Sequence, residues 1–228
     1  MTVGSRTGTA VVTGGSRGIG LEVVRQLAES GMTVVLGARD LAKAEAVAAG
    51  IDGDVLVRRL DVTEPSDAAR LAAELQTLDV LVNNAAIHFD RWQDAADVDL
   101  TVVREALATN VVGAWSTTTA LLPLMSRGSR IVNVSSRSGS FGETSGPEAP
   151  AYAVSKAALD MLTVKLAEAV RPRGILVNAM CPGWVATDLG GPGGGPVAEA
   201  VAGLLWAVDL PPDGPTGGFF RRGEPVPW

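Results

Sequence analysis

Ala10-Val11-Val12-Thr13-Gly14-Gly15-Ser16-Arg17-Gly18-Ile19-Gly20, followed at once by Leu21-Glu22-Val23-Val24, is the stretch on which the fold turns. It reads as a short buried strand, a glycine-rich turn and the opening of a helix with an apolar stripe running from Leu21 to Ser30. Gly14 can make the tight turn, while Gly18 and Gly20 let the backbone approach a phosphate and the helix approach the strand. A helix N-terminus offers free N–H groups and the positive end of a dipole, which suits a pyrophosphate. Ser16, Arg17 and Ile19 lie in the same loop and are candidate contacts with it. The spacing is TGxxxGxG rather than the commoner dinucleotide pattern GxGxxG.

Working outward, apolar runs alternate with helical spacing along the chain. Thr33–Ala38, Val55–Val57 with Leu60, Leu78–Val82, Arg130–Val134 and Ile175–Ala179 are expected as further strands. Leu41–Ala49 and residues 66–75, 101–122 and 152–170 carry helical patterns. Continuous apolar strands separated by helices imply an α/β fold: a single-domain, doubly wound, Rossmann-type parallel sheet over residues 1–228 with helices on both faces. Ligands of such sheets bind outside the carboxyl ends of the strands. Residues 137–151 and 184–197, rich in Ser, Gly and Pro, are expected as loops over a substrate.

The second strand says which dinucleotide fits. An acid at its end accepts from a ribose 2′-hydroxyl, whereas a guanidinium pairs with a 2′-phosphate. Here the run Val34-Val35-Leu36-Gly37-Ala38-Arg39 ends without an acid, and Arg17 in the glycine loop supplies a second cation. The pair favours NADPH (NADP⁺), with Asp40 read as the N-cap of the next helix.

Tyr152-Ala153-Val154-Ser155-Lys156 places a tyrosine and a lysine one helical turn apart on one face. A tyrosine with an ordinary pKa near 10 is a poor base at neutral pH, and a neighbouring ammonium stabilises its phenolate. The same phenol can protonate a carbonyl oxygen as a general acid. Tyr152 is the only tyrosine in the chain. Ser135 and Ser136 end an upstream strand, where a hydroxyl can hold a substrate oxygen; Ser136 is favoured. Asn83-Asn84-Ala85-Ala86 closes the fourth strand, and Asn110 lies inside an apolar helix, where a buried amide needs partners.

These five motifs, in this order, resemble the short-chain dehydrogenase/reductase family over essentially the whole chain, and in detail its NADPH-dependent carbonyl reductases. The resemblance implies a catalytic tetrad of Asn110, Ser136, Tyr152 and Lys156, with Lys156 and Tyr152 also touching the cofactor. It implies that Lys156 binds the nicotinamide ribose and, with Asn110, holds a proton-relaying water. It makes Asp61, with Val62 beside it, the adenine contact, and Asn84 and Ala85 neighbours of the adenosine ribose. Pro182 and Gly183 would cap the nicotinamide, with Val185 and Thr187 near its carboxamide. Trp184 in the same loop is, with Ser136, the candidate substrate contact. Ala86 departs from the family's usual glycine, the stretch from Ser136 to Tyr152 is slightly enlarged, and the long insertion that keeps animal carbonyl reductases monomeric is absent. Monomer, homodimer and homotetramer are all compatible with the pattern.

Composition narrows the rest. Of 228 residues 46% are hydrophobic and only 4% aromatic, which suits a core of Val, Leu, Ile and Ala. A net charge of −6 argues against nucleic acid or an anionic membrane as partner. No apolar run approaches the roughly 18 residues of a membrane span, no secretory pattern opens the chain, and a cytoplasmic protein is expected. A small-molecule carbonyl or alcohol is the expected partner. A single histidine, His88, and a single cysteine, Cys181, preclude a histidine cluster or a cysteine pair for a metal, so none is expected. Cys181 is expected as a buried structural thiol and His88 as an ordinary loop residue. Trp92, Trp115, Trp206 and Trp228 are expected to pack, and the acids at 94, 97 and 99 to form a solvated face. The leading reading is a reductase of ketones or aldehydes. An alcohol dehydrogenase working oxidatively on the same site, and a catalytically idle NADP(H)-binding sensor or interaction module, are the alternatives.

Overall fold

The computed structural model describes residues 6–144 and 146–228; Ser145, inside the expected loop 137–151, lies outside the described residues. Eight strands form one sheet: β1 (Thr9–Thr13), β2 (Thr33–Ala38), β3 (Asp54–Arg59), β4 (Leu78–Asn83), β5 (Met125–Val134), β6 (Leu176–Met180), β7 (Phe219–Arg221) and β8 (Glu224–Pro225). Their order is β3-β2-β1-β4-β5-β6-β7-β8, parallel throughout except for the closing pair β7–β8. The helices are α1 (Gly18–Glu29), α2 (Leu41–Ala48), α3 (Pro65–Glu74), α4 (Leu100–Leu107), α5 (Ala114–Leu121), α6 (Pro150–Val170) and α7 (Val197–Val208).

The strands alternate between two cores, as a side-chain period of two requires. Val12, Val34, Leu36, Val82 and Val132 face α1 and α7 on one side. Val11, Val35, Leu81, Ile131 and Val177 face α3, α5 and α6 on the other. The doubly wound parallel sheet is therefore as the sequence implies, with apolar strands because both faces are covered. The direction of winding reverses at β1, which has β2 on one side and β4 on the other. A crevice opens between the carboxyl ends of β1 and β4, the place where such sheets take a ligand.

Three departures from the sequence reading have local causes. The stretch expected as one helix over 101–122 is broken by a π-helical turn, Ala108–Gly113, centred on Asn110. Strand β5 starts at Met125, where the polar run Ser126-Arg127-Gly128-Ser129 hides it, and its pairing with β4 slips between Leu78 and Val80. Trp92 and Trp115 do not pack as expected, being 70% and 52% exposed. Trp206 does pack, 4.9 Å from the Phe220 ring, and Trp228 stacks on Phe219 at 5.6 Å. Asp40 caps α2 by accepting from Lys43 N, Asp99 caps α4 by accepting from Thr101 N, and Asp94 accepts from Ala96 N, so two of the acids expected only to be solvated also hold the backbone. No helix among the described residues is long and apolar enough to cross a membrane.

Helix α7 covers the sheet through Val201, Leu204 and Leu205. Leu204→Ala is expected to lower the unfolding free energy by about 2–5 kcal/mol in urea titrations. A loss under about 0.5 kcal/mol would show that α7 does not seal this face.

Candidate active site

The turn after β1 is fixed by hydrogen bonds from the end of β4. Thr13 Oγ1 accepts from the backbone N–H groups of both Asn84 and Ala85, at 3.0 Å each. The Asn84 side-chain amide donates to the carbonyls of Thr13 (2.9 Å) and Gly14 (3.1 Å). A methyl group on Gly20 would collide with that amide and with the Gly14 carbonyl, so Gly20 serves packing behind the loop rather than its surface. Gly14, at φ 65°, turns the chain where few other residues could.

In front of the loop lies a cleft of about 360 Å³. Gly14, Ser16, Arg17, Gly18, Ile19, Arg39, Asp61, Val62, Asn84, Ala85 and Thr187 all line it. Asp61 accepts from Thr63 N and Oγ1, at 3.0 and 2.7 Å, and these bonds with nearby Arg39 and Arg59 outweigh burial and hold its carboxyl below the usual range. Lys43, which spacing alone did not single out, adds a third cation beside Arg39. Arg17 is ion-paired with Asp188 at 3.0 Å, linking the glycine loop to the segment after β6. The glycine cradle, the cations at one end and the mouth at the switch point suit a phosphorylated dinucleotide.

A second cavity of about 450 Å³ adjoins the first, and Ile19, Thr187 and Leu189 line both. Ser136, Tyr152, Pro182, Gly183, Trp184 and Val185 face this second space. Of the two serines, Ser136 faces the cavity while Ser135 is 1% exposed beneath it. The Trp184 indole N–H donates to the Gly190 carbonyl at 2.8 Å. Cys181 is the expected buried thiol. His88 pairs with Glu105 at 2.6 Å in a left-handed backbone conformation, away from both cavities' linings.

Lys156 and Asn110 sit behind the cavity wall. The Lys156 side chain is 2% exposed and donates to the Val134 carbonyl at the end of β5, 2.8 Å away. Its ammonium lies 5.4 Å from the centre of the Tyr152 ring. Burial pulls its pKa down to about 8, while Asp160 and Cys181 act upward. Burial also holds the Tyr152 phenol above the ordinary tyrosine range, against the facing Ser136 hydroxyl. Tyr152 is itself only half-buried and keeps one flank on the cavity. The Asn110 side chain is fully engaged: it accepts from Ile87 N and donates to Ile87 O and to Ser155 Oγ. It thus ties the segment after β4 to the helix that carries Tyr152 and Lys156.

Residues 8–193 match the model of the short chain dehydrogenase family. The chain belongs to the short-chain dehydrogenase family. It is 41% identical to a granaticin polyketide synthase putative ketoacyl reductase of Streptomyces violaceoruber, over 78% of this chain and 73% of that one. It is 32% identical to the NADPH carbonyl reductase 1 of Pongo abelii, over 96% of this chain and 98% of that one. An NADPH-bound carbonyl reductase from chicken fatty liver superposes with a TM-score of 0.85 at 28% identity, covering 98% of this chain and all (100%) of that one. The protein is therefore an oxidoreductase of the short-chain dehydrogenase family, similar in sequence and fold to carbonyl and ketoacyl reductases.

One buried residue beside Tyr152 escaped the sequence reading. Asp90, with 0% exposure, accepts from Ala151 N, from Tyr152 N and from Gln93 Nε2, each at 3.0 Å. It caps α6 from a loop some sixty positions away, a task that no local spacing reveals. Ala149, left-handed at φ 54°, provides no side-chain cap of its own. Asp90→Ala is expected to cost about 1–3 kcal/mol of stability and to speed hydrogen exchange at the Ala151 and Tyr152 amides. Unchanged exchange there would remove Asp90 from the positioning of Tyr152.

Proposed function

We propose that the protein reduces a ketone or aldehyde to an alcohol with NADPH, Tyr152 acting as the general acid. The observation that carries this reading is the junction of two cavities. One is cradled by glycines and bordered by Arg17, Arg39 and Lys43; the other holds Ser136 and Tyr152, with a buried ammonium behind the phenol. The names of the carbonyl and ketoacyl reductase relatives, and the NADPH in the chicken structure, support it.

The glycine loop and the N-terminus of α1 would hold the pyrophosphate, and Arg17, Arg39 and Lys43 the 2′-phosphate. Asp61 and Val62 would border the adenine, Asn84 and Ala85 its ribose, and Pro182, Gly183, Val185 and Thr187 the nicotinamide end. When bound, NADPH supplies the hydride that the carbonyl carbon receives. Ser136 donates a hydrogen bond to the carbonyl oxygen, and Tyr152 Oη passes its proton to that oxygen as charge develops there. The phenolate left behind is stabilised by the Lys156 ammonium until it regains a proton. In the oxidative direction the same phenolate is the base. Asn110 contributes by fixing the π-helical turn and Ser155 beside this pair. Phe89, 5.2 Å from the Tyr152 ring, and Trp184 give the substrate cavity aromatic walls. A cytoplasmic setting belongs to the same reading, consistent with one unpaired thiol.

A carbonyl panel followed by loss of NADPH tests the function. Tyr152→Phe is expected to lower kcat/KM by at least about 100-fold while leaving NADPH affinity nearly intact; full activity in that variant contradicts the mechanism. Arg39→Asp is expected to weaken NADPH binding by roughly tenfold or more and to spare NADH. An unaltered preference would place the 2′-phosphate elsewhere.

A further inference from the structure

On the side of Tyr152 away from the substrate cavity, Ser135, Lys156 and Asp160 make a closed polar cluster, each 3% exposed or less. Lys156 and Asp160 stand four residues apart on α6 and so share a face. Lys156 spends one of its protons on the Val134 carbonyl. The Ser135 hydroxyl and both oxygens of Asp160 are buried without a hydrogen-bond partner among the described residues. A buried carboxylate is costly unless neighbours compensate it: burial pushes the Asp160 carboxyl up to about 7, against the nearby Ser135 hydroxyl and the Lys156 ammonium, so it carries its charge in the range where Lys156 titrates. Contact is not the means, since neither Asp160 oxygen is hydrogen-bonded to the ammonium.

We propose that Asp160 is a positioning residue for the proton chemistry, a buried carboxylate whose charge, once ionised, keeps Lys156 in its ammonium form beside Tyr152. This deepens the reading given above and rests on it for the part Lys156 plays. The groups facing Lys156 are few. From α6 come Tyr152 and Asp160; from the end of β5, the Val134 carbonyl, with the Ser135 hydroxyl beside Asp160; from the segment after β6, the Cys181 thiol. Asn110 reaches the neighbouring Ser155 and is uncharged. Burial alone drives the lysine toward its neutral form, and Asp160 opposes that. The same anion also helps Tyr152 keep its proton. Removing it therefore moves both ionisations to lower pH, and the sign of the effect does not depend on which of the two groups titrates first.

The chain contains three lysines, and Lys43 and Lys165 are exposed, so NMR of the apoprotein labelled with ¹³Cε-lysine reads Lys156 against two internal references. In the wild type its midpoint is expected below the ordinary lysine value, near 8. In Asp160→Asn it is expected to fall further, by on the order of one pH unit, with the references unmoved. Asp160→Glu, which keeps the charge, is expected to restore most of the difference. If Asp160→Asn fails to fold, Asp160→Ser is titrated in the same way. An unchanged Lys156 midpoint in the neutral variant overturns the proposal. In turnover, the alkaline limb of carbonyl reduction is expected to move to lower pH with the midpoint, and a limb that stays in place while kcat falls would reduce Asp160 to a packing role. The NMR titration needs no turnover, so failure of this inference is separable from failure of the function itself, which shows as a wild type that reduces no carbonyl.

Discussion

The hydrogen bond from the Lys156 ammonium to the Val134 carbonyl, made inside the protein, is the constraint around which the site is built. An ammonium taken out of water costs several kcal/mol unless its protons find acceptors and its charge finds compensation. The fold meets that demand from several directions at once. The end of β5 brings the carbonyl, and α6 brings the lysine and, one turn later, Asp160. The short turn Arg137–Gly139 lies flat against α6, where a Cβ on Gly139 would come within 2.6 Å of the Lys156 carbonyl carbon. That turn begins at Ser136, so the packing that buries the lysine also sets the height of the serine beside Tyr152.

The same economy of position governs the cleft in front of the glycine loop. Because β1 and β4 are neighbours, Asn84 at the end of one can staple the turn at the end of the other, through Thr13 and Gly14. A buried rung of amides and hydroxyls continues behind it. Asn83 donates to Thr118 and Asn133, and Asn133 donates to Thr163 on α6, joining the centre of the sheet to the helix that carries Tyr152 and Lys156. Polar groups in such a rung are directional, so they fix strand register and helix height together where apolar packing would tolerate sliding. Asn110 and Asp90 extend this logic to the loop after β4: one ties it to Ser155, the other makes it the cap of α6.

How much of this was legible in the sequence depended on how far apart the interacting residues stand. Strands β1, β2 and β4 were visible because burial on both faces makes them continuously apolar, and the glycine turn because its chemistry is local. Arg17 and Arg39 line one of the two adjoining cavities, and Ser136, Tyr152 and Trp184 the other. The tasks of Asp90 and Asp160 were not visible, since Asp90 acts across sixty positions and a carboxylate four residues after a lysine reads as a surface ion pair until its burial is known. Asn110, within the π-helical turn, bonds to Ile87 and Ser155, partners that no periodicity encodes. Trp92 and Trp115 mark the converse error: a large apolar side chain need not find a core.

Because Tyr152 is the only tyrosine in the chain, its ionisation can be read directly from the ultraviolet absorbance of tyrosinate. Titrating the protein with and without NADP⁺ measures the quantity on which the chemistry turns. In the cofactor-free protein the phenol is expected to ionise above the ordinary tyrosine range, as its burial dictates. With NADP⁺ bound, the positive nicotinamide joins the Lys156 ammonium, and the midpoint is expected to fall by at least about one unit, below the ordinary value near 10. A phenol that titrates at the same pH with and without NADP⁺ would contradict the assignment of Tyr152 as the acid and base of this site.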